Sequence, residues 1–222
     1  MAMSQHIQGF YGQVFKARTP LRAFMNVALS GTSVWSGAIL DVGGTRQPLP
    51  SYHAYIPRGA DSTVTCLNID VQAKPDIVGD AAAMPIGAEA YDHAWCFNLL
   101  EHVPDPATVL REMHRVLRPH ARIAVFTPFF TRIHGHPHDF YRYTDTALER
   151  YIREAGFSLE RTDVIGGGPF LCVAAQLQLF FPSFLFVPLV ACARGLDRLF
   201  AWRWPLLGRA WPLGYLVLAK KQ

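Results

Sequence analysis

Charge is scarce in this chain, and so are the cysteine spacings that hold metals. Only 17% of its 222 residues are Asp, Glu, Lys or Arg, while half are apolar. A disordered chain combines low hydrophobicity with high charge, so disorder is excluded. The four cysteines (Cys66, Cys96, Cys172, Cys192) form no Cys-x-x-Cys pair. Neither a zinc finger nor a disulfide framework is therefore expected, and buried free thiols are. No apolar run follows a basic start at the N-terminus, so no signal peptide is expected and the cytoplasm is the expected compartment. Internal repeats and low-complexity tracts are absent. So is a basic face over the whole length. The formal net charge is +4, but Val164 onward carries +5, six basic residues against Asp197 alone, which leaves −1 for the rest. Positive charge confined to the tail argues against a nucleic-acid partner.

What is present falls into zones. Residues 1–32 form a helical layer: Thr19-Pro20 reads as an N-cap with proline in the first turn, LRAFMNVAL continues it, and Gly31 stops it. Residues 33–165 alternate short apolar runs with helical patterns, the mark of βα units on a parallel sheet. Strands are expected at 37–42, 62–70, 76–80, 91–98, 122–127 and 158–165. Asp105-Pro106 opens a helix that Pro119 ends, and Thr144 caps another that closes at Gly156. Residues 166–210 form a hydrophobic insertion, expected to be helical, whose stretch Leu171–Ala193 holds no charged residue and is interrupted by Pro182 and Pro188. Residues 211–222 return to the core as its last strand.

In an open parallel sheet, ligands bind at the carboxyl ends of the strands. After the first strand stand Asp41, Gly43 and Gly44, glycines that let backbone approach a ligand behind an acid that accepts from a hydroxyl or ammonium. The following Thr-Arg-Gln-Pro supplies no third glycine, so a dinucleotide fingerprint is not formed. The second strand ends in Asn68 and Asp70, on one side by the period of two. The third ends in Asp80-Ala81, and the fourth in Asn98-Leu99-Leu100-Glu101-His102.

These stretches (ILDVGGT, LNID, DIVGDAAAMPI, YDHAWCFNLLEHVPDPATVLREMHRVLRP and RIAVFTPFF) resemble the class I S-adenosylmethionine-dependent methyltransferases, nearest the bacterial small-molecule and cell-envelope type. The resemblance implies an α/β fold: a doubly wound, seven-stranded Rossmann-like sheet, with the hydrophobic helical insertion before its last strand. It implies S-adenosylmethionine as cofactor. Asp41, Gly43 and Gly44 match the loop beside the methionine part, and Asp80 and Ala81 the adenine contacts. Asn98 and Leu99 match the lining of the sulfonium. Asn68 stands where the family has a ribose-gripping acid; Asp70 is a substitute, and an amide also bonds a hydroxyl. His120-Ala121 replaces the usual glycine pair before strand five.

A second constellation follows strand five: His134, His136, His138, Asp139, Tyr141 and Arg142 in a Pro- and Gly-containing stretch. In the family such a loop faces the acceptor, so His134, His136, Tyr141 and Arg142 are expected to bind substrate. Methylating a hydroxyl requires removal of its proton. His102 is the first candidate base, with His138 and Asp139 next, against a capping role for His102. Three histidines and an acid also match a metal hydrolase, but no metal is expected. The expected acceptor is a small molecule, a glycan or a lipid-linked glycan. The stretch 171–211, with Arg interleaved among Trp, suits either peripheral contact with the inner face of a membrane or a homodimer. A spanning helix is disfavoured by its prolines. The rival readings are a degenerate scaffold protein of the same fold and a nicotinamide oxidoreductase, the latter opposed by the glycine spacing.

Overall fold

The computed structural model describes residues 2–16, 18–135 and 138–222, with side chains from Gly9 onward. Seven strands form one sheet: β1 (Ala38–Val42), β2 (Thr63–Asn68), β3 (Ile77–Val78), β4 (Tyr91–Phe97), β5 (Leu117–Pro128), β6 (Phe157–Gly167) and β7 (Pro212–Lys221). Their order is β3-β2-β1-β4-β5-β7-β6. The run from β3 to β5 is parallel, and β7 inserts antiparallel to both β5 and β6. The expected seven-stranded sheet is present.

Local chemistry explains where the helices begin. In α2 (Pro20–Ser30) the Thr19 hydroxyl accepts from Arg22 N at 3.2 Å, and Gly31 ends the helix. In α3 (Pro106–Val116) the Asp105 carboxylate accepts from Ala107 N and Thr108 N. In α4 (Asp145–Glu154) the Thr144 hydroxyl accepts from Ala147 N at 3.2 Å. Each such cap contributes roughly 1 kcal/mol.

One sheet face is covered by α3 and α4, burying Leu110, Met113, Val125, Leu148 and Ile152. The other is covered by α2 and a 3₁₀ turn, Ser51–Ala54, over Trp35, Trp95 and Phe126. No α-helix follows β1, β2 or β3 among the described residues; Tyr52 and Ile56 fill that layer from a loop. The glycine turn therefore does not lead into a helix N-terminus. A third cluster joins α1 (Ala2–Phe15) and α2 to the insertion, through Phe10, Val14, Ala23, Leu171, Phe186 and Val190.

The insertion comprises α5 (Pro169–Gln176), α6 (Ser183–Arg203) and α7 (Leu207–Ala210). Pro182 does precede a boundary, as the N-cap of α6, but Pro188 lies inside that helix and does not break it. Proline there costs one intrahelical bond, about 3 kcal/mol. Burial of Phe186, Val190 and Ala193 along the same helix outweighs that cost. No described helix is long and apolar enough to cross a membrane. Two other expectations are corrected. α3 ends at Val116, and Pro119 lies within β5 at an irregularity of register. All four thiols are free, but Cys192 is exposed.

Candidate functional site

Asp41, at the end of β1, is fully buried. Its Oδ2 accepts from the Tyr52 hydroxyl at 2.8 Å and lies 3.0 Å from His53 Nε2. Burial first, then the Asp41 charge, pushes the Tyr52 phenol well above its ordinary range. Asp41 Oδ1 has no hydrogen-bond partner among the described residues. The two glycines that follow are required for a reason the sequence did not disclose. Gly43 has φ +77°, and a Cβ there would meet the Leu99 side chain at 3.0 Å; at Gly44 it would collide with the Asp41 carboxylate. Their missing side chains make room for the protein's own β4 end and for Asp41, not for open ligand space.

Asn68 explains its departure from the family pattern in the same way. Its Nδ2 donates to Gly43 O at 3.1 Å and to Gly44 O at 3.0 Å, stapling the glycine turn to β2. A carboxylate cannot make either bond. The amide oxygen accepts from Asp70 N, and the Asp70 carboxylate accepts from Gln72 N. Asp80, exposed, uses one oxygen to accept from Ala82 N, and Ala81 is buried beside it. Asn98, at the end of β4, has φ +52°, and its side chain makes no hydrogen bond among the described residues.

Beyond Asn98 opens a cavity of about 250 Å³ whose lining includes Arg22, Met25, Asn98, His102, Thr131 and His134. Arg22 makes no ion pair among the described residues, and burial lowers the pKa of its guanidinium. A larger, more apolar cavity of about 440 Å³ lies under the loop after β5, against Phe129, Phe130, Ile133, Tyr141 and Gln176. Thr131 lines both.

Backbone and side-chain hydrogen bonds pin the loop to the segment that follows β4. Phe140 N donates to Glu101 O at 2.7 Å, and Tyr143 Oη to Leu100 O at 2.8 Å. Tyr141 Oη donates to Pro104 O at 2.8 Å, and His102 Nδ1 to His138 O at 2.6 Å. A carbonyl only accepts, so His102 Nδ1 carries the proton and Nε2 has the free lone pair. The His102 and His134 rings meet edge-on with centroids 5.1 Å apart. The side chain of His138 is exposed and tilts against Phe140.

Asp139 has a different task from the proton acceptor expected. Arg142 donates to both its oxygens, with 2.7 Å to Oδ2, and His134 N donates to Oδ2 at 2.9 Å. The guanidinium holds this carboxyl far below the usual carboxylate range. An anion so stabilised is a poor base; it fixes Arg142 and the backbone of His134. His136 lies outside the described residues.

The residue that sequence reasoning passed over is Glu101. It is wholly buried, and neither carboxylate oxygen has a hydrogen-bond partner among the described residues. Burial raises its pKa from 4.5 to about 8. Its Oε1 is 3.7 Å from His102 Nε2.

Residues 47–125 match the family model for a methyltransferase domain, a match that begins past the glycine turn. The ubiquinone biosynthesis O-methyltransferase of Pseudomonas aeruginosa (strain PAO1) is 32% identical over 98 residues, 34% of this chain and 39% of that protein. The methyltransferase GfsG of Streptomyces halstedii is 40% identical over 48 residues, 22% of this chain and 17% of that protein. The chain thus spans well under half the length of these curated relatives. Among solved structures, the [4+2]-cyclase SpnF superposes with a TM-score of 0.58 at 18% identity, covering 91% of this chain and 80% of that one. An S-adenosylmethionine-dependent methyltransferase from Mesorhizobium loti gives 0.53 at 18% identity, covering 90% and 98%. Residues 47–125 thus match a methyltransferase domain, and the strand order with its antiparallel β7 gives the whole chain the fold of these S-adenosylmethionine-dependent methyltransferases.

Proposed function

We propose that this protein transfers a methyl group from S-adenosylmethionine to a hydroxyl of a small-molecule, glycan or lipid-linked acceptor held in the cavity between α2 and the end of β4. The observation that carries this reading is the cavity's position: it opens directly beyond Asn98, the strand-end residue that the family resemblance sets beside the sulfonium.

The residues present fit the cofactor. Among the described residues Asp41 Oδ1 is a buried acceptor lacking a partner, suited to an ammonium, and the Asn98 amide makes no hydrogen bond. Asp41 and the backbone of Gly43 and Gly44 would hold the methionine end, Asp70 the ribose, with Asn68 holding the glycine turn in place beside it, and Asp80 with Ala81 the adenine. Asn98 and Leu99 would line the sulfonium. Bound there, S-adenosylmethionine supplies the methyl group as an electrophile. The chain's contribution is chiefly positioning: holding an acceptor oxygen ~3 Å from that carbon and in line with it lowers the barrier by ~7–11 kcal/mol. His134, His136, Tyr141 and Arg142 shape the acceptor side, and Arg22 offers a cation to an acidic group on the acceptor. The acceptor's proton leaves on the His102 side, the wall whose Nε2 lone pair is free; His138 and Asp139 support that wall.

The apolar cavity continuing past Thr131 toward α5 favours a long or lipid-linked acceptor. So does the exterior of the insertion, where Phe184, Leu185, Leu199, Trp202 and Trp204 are exposed among Arg198, Arg203 and Arg209. That mixture suits the headgroup boundary of an anionic membrane. A second reading, a scaffold protein that kept the fold, draws on Asp41 being sealed by Tyr52 and His53 and on Asn68 serving the glycine turn. Calorimetric titration with S-adenosylhomocysteine separates the two. Saturable binding that weakens at least tenfold in Asp80→Ala supports the enzyme, and no binding by the folded protein supports the scaffold.

A further inference from the structure

The wall beside Asn98 contains an arrangement that neither the fold nor methyl transfer requires. Glu101 is fully buried and, among the described residues, neither carboxylate oxygen takes part in a hydrogen bond, which is costly for a charged group. One ligand atom each from Glu101, His102 and His134 lies within 4.8 Å of the other two. The hydrogen-bonding of the two imidazoles is what makes this more than proximity. His102 Nδ1 faces His138 O at 2.6 Å, and His134 Nδ1 faces Arg132 O at 3.0 Å and the Asp139 carboxylate at 3.5 Å. All of these partners can only accept. Both rings are thereby fixed in the tautomer with Nδ1–H, leaving Nε2 as a lone-pair donor on each. Metal-bound histidines are oriented in this way, the second nitrogen donating to a carbonyl or carboxylate.

We propose that Glu101, His102 and His134 bind one divalent transition-metal ion at the wall of the acceptor cavity. Two imidazoles and one carboxylate are a donor set for Zn²⁺, Fe²⁺, Co²⁺ or Mn²⁺; Mg²⁺ and Ca²⁺ prefer oxygen throughout. Bond lengths of ~2.0–2.2 Å set neighbouring ligand atoms about 3.4 Å apart in a tetrahedral site. The 3.7 Å between His102 Nε2 and Glu101 Oε1 is close to that. His134, on the loop and about a third exposed, brings its ligand atom within 4.8 Å of the other two, its ring edge-on to that of His102. With three protein ligands, the ion keeps open coordination toward the cavity that His102 and His134 both line. The other cluster of this kind, Asp41, His53 and Cys66, is wholly buried, and its Asp41 oxygen is already engaged by Tyr52 and His53.

For its role the inference rests on the methyltransferase reading. An acceptor hydroxyl taking the open position becomes more acidic by coordination and loses its proton to solvent water. Its oxygen then forms the bond to the methyl carbon as the carbon–sulfur bond breaks, and that electron pair stays on sulfur. His102 thus serves as a ligand, and the ion does what a free base would otherwise do.

The test uses the tag-free full chain, stripped with chelator and titrated with Co²⁺ alone. Visible d–d absorption reports the ion, and Zn²⁺ competition reports the affinity. The expected result is one equivalent bound, with affinity lowered at least tenfold in His134→Ala, His102→Ala and Glu101→Gln. His134 is exposed enough that its loss leaves the fold intact, and each variant's melting curve checks this. Uptake equal to wild type in folded His134→Ala, or no visible band in the wild type, overturns the site. S-adenosylhomocysteine titrated into the same samples tests the methyltransferase reading separately: if it fails to bind while Co²⁺ binds, the cation site stands and that reading falls.

Discussion

Glu101 is the group whose replacement tests the physical picture of the site most quantitatively. Its carboxyl is held inside the protein with no hydrogen-bond partner among the described residues, and burial raises its pKa from 4.5 to about 8. The folded state therefore keeps the proton that the unfolded chain gives up as pH climbs past about 4.5. From there to about pH 8 each pH unit removes about 1.4 kcal/mol of stability, because the unfolded state binds fewer protons. Over that window the loss sums to about 5 kcal/mol, and above it the difference stays level. Glu101→Gln occupies the same volume and cannot ionise, so this dependence disappears. Urea unfolding of both proteins from pH 4 to 9, with chelator present, reads the effect, because titrating groups remote from Glu101 cancel in the difference. The stability of the variant relative to wild type should rise by about 5 kcal/mol between pH 4.5 and 8. A difference that stays flat over that range would show that Glu101 is ionised and solvated, and would remove the basis for a charge-demanding wall.

Asn68→Asp should destabilise the protein by ~1–3 kcal/mol in denaturant unfolding, since two glycine-turn carbonyls lose a donor and meet an anion; equal stability with tighter S-adenosylhomocysteine binding would return position 68 to the ribose. His102→Ala should lower turnover by ~10²–10⁴ while leaving S-adenosylhomocysteine affinity within a few-fold. A loss confined to the melting temperature would reduce His102 to a fastener of the loop through His138 O. The chain should co-sediment with anionic vesicles at low salt, and Trp202→Ser with Trp204→Ser should weaken this, both rings being exposed; no sedimentation together with a stable soluble dimer would retire the membrane surface.

What the sequence made legible was local. Thr19-Pro20, Asp105-Pro106 and Thr144 are caps whose chemistry is complete within three residues, and all three helices begin there. The strands were legible because each apolar run is short and bounded by turn residues. What escaped depends on packing at a distance. Pro188 reads as a breaker until Phe186 and Val190 are seen buried against α1 and α2. Glycines 43 and 44 read as ligand space until Leu99 and Asp41 are found occupying it. Glu101, a few residues after a strand end and just before the Pro104-Asp105-Pro106 turn, reads as a solvated loop acid, because nothing local announces that the loop 131–144 folds over it. The approach of His134 to His102 across 32 positions of chain has no signature in spacing at all.

The central claim is that the carboxyl ends of β1 and β4 hold S-adenosylmethionine with its methyl group facing the cavity at Asn98. A crystal structure with S-adenosylhomocysteine tests it most directly. The account predicts the adenine against Asp80 and Ala81, the amino group near Asp41, and the sulfur beside Asn98 with an open line to His102. A ligand bound elsewhere, or a sulfur walled off from that cavity, would contradict it.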